Sequence, residues 1–365
     1  MNCFWREKRE KNAFLALADG TVFRGYGFGC PQDCTGEAVF NTGMTGYQEI
    51  ITDPSYAGQF VVLTTAEVGN YGCCAADMES RGVFLNGLVI QELNCASYYR
   101  SEEELADFLT RYGKPAIAGV DTRALTLHLR DTGAQKAYLH VSDAAVSEAQ
   151  AIAAARSWAG LDGQDYAARV TSPTPYQWNE SGKHQVVVYD FGVKYNILRL
   201  MASHDMKITV VPAQTPAEEV LARHPDGVFL SNGPADPSAV GYAIANIQKL
   251  LGKVPLAGIC LGHQLLGIAC GAKCGRLKFG HHGCNHPVQN VLTKAVAISS
   301  QNHNYARTEL PDCLELTYKN LNDGSCEGIR HKTLPAFSLQ YHPEAAPGPH
   351  DAQAFFQEFV DLMEK

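Results

Sequence analysis

The sequence predicts an α/β protein: a doubly wound, mostly parallel sheet in the C-terminal half, preceded by an α+β domain. Three observations carry that expectation. Beyond residue 183, short apolar runs alternate with helical periodicity, which is the pattern of βαβ units. A polar stretch punctuated by Pro and Gly, Ser172-Pro-Thr-Pro-Tyr-Gln-Trp-Asn-Glu-Ser-Gly-Lys183, reads as a linker ahead of it. The 365 residues are enough for about two domains, each with its own core. The expected organisation is therefore an α+β domain over 12–170, a linker over 171–183 and an α/β domain over 184–365.

In the first domain, Leu15-Ala-Leu-Ala-Asp-Gly-Thr-Val-Phe23 reads as a hairpin turning at Asp19-Gly20. Apolar runs at 61–65 and 83–90 add strands. Ser101-Glu-Glu-Glu104 ahead of Leu105 has the spacing of a capping box that opens a helix, and 144–158 is an Ala-rich helix. In the second domain, 185–189 (Gln-Val-Val-Val-Tyr) is a strand, 194–201 a helix, 208–211 a strand, 217–222 a helix and 227–230 a strand. A helix over 239–251 follows, then a strand at 255–259, a helix at 261–270 and a late strand at 336–339. The closing helix, 351–365, aligns Ala352, Phe355, Phe356, Phe359 and Met363 on one face, a core stripe.

Composition narrows function by exclusion. A net charge of −8 argues against broad affinity for nucleic acid or anionic membranes, and no apolar run approaches the length of a membrane span. Residues 1–11 are charged, lack the apolar segment of a secretory signal and read as an extension without function. Twelve cysteines without such a signal suggest free thiols in a reducing compartment, hence a cytoplasmic chain. Cys270, Cys274, His281, His282, Cys284 and His286 lie close in sequence, but their spacing is irregular for zinc, so no metal is expected.

Gly258-Ile-Cys-Leu-Gly262 joins the 255–259 strand to the 261–270 helix. Small residues on both sides of Cys260 permit a sharp turn, the geometry of a nucleophile elbow with Cys in place of Ser. At a helix N-terminus, backbone N–H groups and the dipole favour thiolate over thiol. A buried cysteine in a Gly-punctuated turn would look the same. A second feature, Gln340-Tyr-His-Pro-Glu344, changes the balance. Side chains two apart on an extended chain share a face, so His342 and Glu344 can touch, and Pro343 stiffens the spacing. A carboxylate beside an imidazole holds its tautomer and stabilises the imidazolium, as a Cys–His pair requires. The zinc-deaminase pattern fails, because no cysteine pair follows His342.

Three blocks, Gly258-Ile-Cys-Leu-Gly-His-Gln264, Ser231-Asn-Gly-Pro-Ala-Asp-Pro237 and His342-Pro-Glu344, closely resemble the class I glutamine amidotransferases. In the first half, Phe40-Asn-Thr-Gly-Met-Thr-Gly-Tyr-Gln-Glu-Ile50, Thr52-Asp-Pro-Ser-Tyr56, Asp121-Thr-Arg123 and Gly133-Ala-Gln135 are similar to the small, glutamine-hydrolysing chains of carbamoyl-phosphate synthases. Tyr189-Asp-Phe-Gly192, Phe279-Gly-His-His-Gly283, Gln301-Asn-His303 and Pro347-Gly-Pro-His-Asp351 agree with them. The resemblance spans nearly all of the chain beyond residue 12.

That resemblance implies a catalytic triad of Cys260, His342 and Glu344, which hydrolyses glutamine through a glutamyl thioester. It implies an oxyanion hole at the backbone N–H groups of Gly233 and Leu261, and a glutamine pocket at Gly43, Gly233, Ala235, Leu261, Gln264, Asn302, Asn304 and Tyr305. Gly43, Ala235 and Asn304 depart from common family forms, a serine and two glycines, although Asn is the non-glycine residue best suited to a left-handed backbone. His281, His282 and His286 fall in a family motif that carries no metal. The partner implied is a large chain, joined in a heterodimer, that binds bicarbonate, ATP and Mg. It would turn the delivered ammonia into carbamoyl phosphate for pyrimidine and arginine biosynthesis. No cofactor is expected on this chain, which has no G-x-x-x-x-G-K-[ST] loop. Two other readings stand beside this one. The first is a free-standing glutaminase or the subunit of another amidotransferase. The second is a non-catalytic regulatory subunit, which would not need Cys260, His342 and Glu344.

Overall fold

The structure, a computed structural model of the chain, describes residues 11–234 and 236–365. Residues 1–10, within the stretch read as an extension without function, and Ala235 of the expected glutamine pocket lie outside the described residues. The chain divides into two compact units, 1–161 and 162–365. This boundary precedes the segment 171–183 that was expected to link the domains, and part of that segment is a strand of the second unit.

Seven strands of the first unit close into a barrel: β1 (Ala13–Leu17), β2 (Val22–Gly29), β3 (Cys34–Asn41), β4 (Gln59–Leu63), β5 (Gly87–Val89), β6 (Pro115–Ala118) and β7 (Gln135–His140), in the order β1-β2-β6-β5-β4-β3-β7. β1 and β2 are the hairpin expected at Asp19-Gly20, where Gly20 takes φ +107°. Closure depends on distant pairs such as β1 with β7, which no local pattern reveals. The helices are α1 (Tyr47–Thr52), α2 (Leu105–Arg111), α3 (Thr122–Thr132) and α4 (Glu148–Ser157). Ile50 and Ile51 of α1 with Leu105, Phe108 and Leu109 of α2 share one core with Val61, Leu63 and Leu88 of the barrel. Two local expectations change. The strand over 83–90 shortens to β5, and the capping box at Ser101–Glu104 does not form: Glu104 is the N-cap without a side-chain cap bond, while Ser101 Oγ donates to Glu103 O at 3.3 Å. A capping box does form at α4, between Ser147 and Gln150.

The second unit holds a ten-stranded sheet. Its strands are β8 (Tyr176–Asn179), β9 (His184–Asp190), β10 (Met206–Pro212), β11 (Gly227–Leu230), β12 (Leu256–Ile259), β13 (Lys273–Asn290), β14 (Val296–Glu309), β15 (Leu314–Asn320), β16 (Cys326–His331) and β17 (Ala336–Leu339), in the order β14-β13-β15-β16-β17-β12-β11-β9-β10-β8. Its helices are α5 (Ala167–Val170), α6 (Tyr195–Ser203), α7 (Ala217–Leu221), α8 (Gly241–Leu250), α9 (Leu261–Ala269) and α10 (Ala354–Met363). The five central strands, β17-β12-β11-β9-β10, run parallel. β8 and the β13–β16 extension join antiparallel, so the sheet is mixed rather than mostly parallel.

Successive residues of β9 face opposite layers, as the pleat requires. Val186 and Val188 enter one core with Ile197 and Met201 of α6 and Phe355, Phe356 and Phe359 of α10. Val187 and Tyr189 enter the other with Val220 of α7, Ile247 of α8 and Leu265 of α9. The central strands are therefore buried on both faces, which is why they read as unbroken apolar runs. α10 starts at Ala354 rather than 351, and Ala352 still packs against the first of these cores. Among the described cysteines, ten are free thiols, whereas Cys95 is in a disulfide, a departure from the expectation of thiols alone.

Candidate active site

Cys260 stands between β12 and α9 at φ 53° and ψ −106°, a backbone conformation that non-glycine residues rarely adopt. The glycines beside it answer to space. A Cβ on Gly262 would lie 2.2 Å from Leu230 O, and one on Gly258 would lie 3.0 Å from the Gly262 carbonyl carbon. The turn is pinned on both sides: Cys260 N–H donates to Leu339 O at 2.9 Å, and Gly262 N–H donates to Ser231 O at 3.0 Å. Sγ is buried, 3.4 Å from Asn302 O on β14.

His342 and Glu344 follow β17. His342 Nδ1 lies 2.6 Å from Glu344 Oε1, and His342 N–H donates to Ser300 O at 2.9 Å. The contact was expected from an extended chain, but the chain here turns: Ala345 N–H donates to His342 O at 3.2 Å, and Ala345 and Ala346 both have positive φ. With Nδ1 committed to Glu344, Nε2 is the nitrogen left to exchange a proton, and no hydrogen-bond partner among the described residues holds it. One participant was not foreseen. Lys194, buried at the start of α6, places Nζ 2.9 Å from Glu344 Oε1 and also donates to Ala345 O. Asn196 Nδ2 donates to Glu344 O at 2.6 Å. The signal was the preceding Tyr189-Asp-Phe-Gly192 block. Asp190 Oδ1 accepts from Gly192 N–H at 2.9 Å and Val193 N–H at 2.8 Å, shaping the loop that delivers Lys194.

Burial opposes charge on both groups, and the partners outweigh it. His342 is pushed up to about 10, chiefly by the Glu344 carboxylate and Cys260. Glu344 is held down to about 2 by Lys194 and then His342. His342 thus binds its proton more tightly folded than unfolded. Its contribution to stability is complete below its ordinary 6.5 and is lost as pH rises through 10. Glu344 has the opposite sign: its contribution is present above 4.5 and lost as pH falls toward 2. Denaturant unfolding should therefore show stability declining from pH 6.5 to 10, and His342→Gln should flatten that decline. An unchanged slope in the variant would assign the decline to other groups.

The expected pocket residues are distributed unevenly. Gly233 sits where a Cβ would lie 2.3 Å from Phe191 O, and Leu261 is the first residue of α9, whose N–H has no partner within the helix. Gln264 is committed to the protein through Nε2, which donates to Tyr305 O at 2.9 Å and Gln340 Oε1 at 3.1 Å. Asn302 and Asn304 lie on β14, and their Oδ1 atoms flank His282 at 3.0 Å from Nδ1 and from Nε2. Burial holds His282 near 4, so the ring is neutral and its single N–H donates to one of these two amide oxygens. Asn304 is in ordinary extended backbone, so tolerance of a left-handed conformation does not explain it. The Tyr305 hydroxyl donates to Asp162, which also pairs with Arg276; no sequence signal marked Asp162. Gly43 belongs to the first unit, where its N–H donates to Asn41 Oδ1 at 2.7 Å.

Of the Cys/His run, Cys270, Cys274, Cys284, His282 and His286 belong to no group of candidate metal ligands among the described residues. Among the described residues His281, His303 and Glu327 do, with candidate ligand atoms within 4.8 Å of one another. Hydrogen bonds already occupy most of that cluster. His303 binds Gln301 Oε1 at 2.9 Å and Tyr305 O at 2.8 Å, and Glu327 accepts from Asn320 at 2.9 Å and Gln301 at 3.0 Å.

A strained cysteine between a parallel strand and a helix, with a buried His–carboxylate pair at the end of the neighbouring strand, defines a class of protein. Residues 187–362 match the family model described as glutamine amidotransferase class-I, and residues 15–139 match the CPSase domain of the carbamoyl-phosphate synthase small chain. The similarity to curated relatives runs nearly end to end. A carbamoyl phosphate synthase small chain of Thioalkalivibrio sulfidiphilus is 50% identical over 96% of this chain and 97% of its own. The corresponding chain of Escherichia coli O6:H1 is 48% identical over 97% and 98%, and the chloroplastic one of Arabidopsis thaliana 47% over 97% and 86%. The chain belongs to the family of carbamoyl-phosphate synthase small chains, and it is an enzyme of the glutamine amidotransferase class.

Proposed function

We propose that this chain hydrolyses glutamine to glutamate and ammonia at Cys260, His342 and Glu344, and delivers the ammonia to a large chain. The observation that carries the reading is the strained Cys260 elbow next to a His342 held at 2.6 Å by Glu344. Sγ attacks the carboxamide carbon of glutamine after its proton passes to Nε2. The developing oxyanion is met by the N–H groups of Gly233 and Leu261, each worth ~10²–10³ in rate. Charged His342 gives its proton to the departing ammonia, leaving a glutamyl thioester. The neutral ring then takes a proton from water, which displaces Sγ and releases glutamate. Glu344, itself held ionised by Lys194, keeps His342 oriented throughout.

The resemblance supports a heterodimer in which the large chain binds bicarbonate, ATP and Mg and makes carbamoyl phosphate for pyrimidine and arginine biosynthesis. This chain then needs no metal or other cofactor of its own. Among the described residues no helix is long and apolar enough to cross a membrane, and a cytoplasmic location fits a supply of soluble glutamine and a soluble partner. Idle ammonia release would waste glutamine, so the isolated chain should be a weak glutaminase. Steady-state glutamate production at saturating glutamine should rise strongly on adding the large chain with ATP and bicarbonate. Equal kcat in both conditions would favour a free-standing glutaminase.

A further inference from the structure

The far end of α9 carries a second charged group that this reaction does not use. Arg307 of β14 is buried, and its Nε, Nη1 and Nη2 find no hydrogen-bond acceptor among the described residues. Its guanidinium lies against the last turn of α9. A Cβ on Gly267 would sit 2.0 Å from Cζ and 2.1 and 2.3 Å from the two terminal nitrogens. Glycine inside a helix is destabilising relative to alanine. At this position the missing Cβ is what admits the cation. The titratable groups acting on Arg307 are Cys326, Cys274 and Cys270, with no carboxylate among them. His263 is a further neighbour: its Nε2 is also buried without a partner, while Nδ1 lies 3.0 Å from Ser338 Oγ.

Nothing in this shell neutralises the charge. A guanidinium does not lose its proton in a protein. Burial pushes the Cys270 and Cys326 thiols up to about 11 and raises Cys274, so all three stay protonated. Burial and Arg307 together keep His263 neutral. The carbonyls ending α9 supply roughly half a negative charge, which leaves the cation partly uncompensated. An unpaired ion in an apolar interior is strongly disfavoured, so a counter-charge has to come from outside the chain.

We propose that Arg307, the thiols of Cys270 and Cys274, and His263 Nε2 form a binding site for a small monovalent anion of the halide class, with Cys326, whose S–H goes to Gly328 O at 3.7 Å, packed beside it. Each group of the site can donate: the guanidinium through N–H, the two thiols through S–H, and Nε2 when Nδ1 accepts from Ser338. A monatomic anion accepts from all of them and brings no polar atom that would itself need a partner. Bound there, it ties α9 to β13 and β14. It therefore stabilises the frame behind the helix whose other end holds Cys260, without entering the chemistry.

Crystals of the full chain soaked in sodium bromide should show an anomalous peak against the guanidinium of wild type and none in Arg307→Met. In solution, with sodium gluconate holding ionic strength constant, bromide at ten times its dissociation constant should raise Tm by about 3–5 °C in wild type. Arg307→Met should not respond. Exchanging a buried ion for an apolar side chain usually preserves folding. Should that variant fail to fold, Arg307→Lys, which keeps a charge, should retain a reduced bromide response. Ordered water in the bromide position, or an equal shift in wild type and variant, overturns the proposal.

Discussion

Cys260→Ser is expected to abolish glutamine-dependent synthesis by the assembled enzyme while leaving the fold intact. Serine is nearly isosteric with cysteine, and the elbow is set by Gly258, Gly262 and the backbone bonds to Leu339 and Ser231 rather than by the thiol. The hydroxyl is a far weaker nucleophile beside a histidine arranged for a thiol. A loss of ~10³-fold or more in glutaminase kcat is expected, by analogy with other nucleophile deletions. Ammonia supplied directly should still support synthesis if, as proposed, the ATP chemistry lies on the large chain. Glutamate release by the variant at near wild-type rate would remove Cys260 from the mechanism. It would return the regulatory-subunit reading to consideration.

Lys194→Met should be the most damaging change that leaves the three reacting residues in place. Lys194 and Glu344 are both buried, and Nζ also serves Ala345 O in the turn that carries the carboxylate. Removing one partner of such a pair typically costs ~3–5 kcal/mol, because the other charge stays behind in the interior. Without Nζ the Glu344 carboxyl rises from about 2 toward its ordinary range, and its grip on the His342 proton weakens. The expected results are a lowered Tm and a fall in glutamine-dependent kcat/KM, with ammonia-dependent synthesis retained. Lys194→Met with Glu344→Gln should recover stability but not glutaminase activity. A single variant that melts with wild type would show that the pair contributes nothing to the fold.

Features built from residues adjacent in the chain are legible in the sequence. Gly258 and Gly262 around Cys260 mark a turn whose need for small residues is local, and the structure supplies the atoms that impose it, Leu230 O above all. The apolar runs of β9 to β12 announce strands buried on both faces for the same reason. His342 and Glu344 are two residues apart, so their contact was foreseeable, although a turn and not an extended strand makes it. β13 and β14 were missed because Gly, His, Asn and Cys replace apolar alternation through Gly280–His286 and Gln301–Asn304. Their pairing with each other, rather than their composition, makes them strands.

By itself, then, the sequence determined the α/β alternation, the elbow and the adjacent His–carboxylate pair, all of which rest on spacing within a few residues. Tertiary structure alone decided which distant groups meet. It closed the barrel through β1 and β7, and it turned the sheet from mostly parallel to mixed by adding the antiparallel β13–β16 strands. It also brought Lys194 under Glu344, Asp162 to Tyr305 and Arg307 against Gly267. In the sequence Lys194 is one more cation at a helix start, and Arg307 one more residue of a polar run. Their roles come from desolvation and charge pairing, which act between atoms close in space and leave no period in the chain.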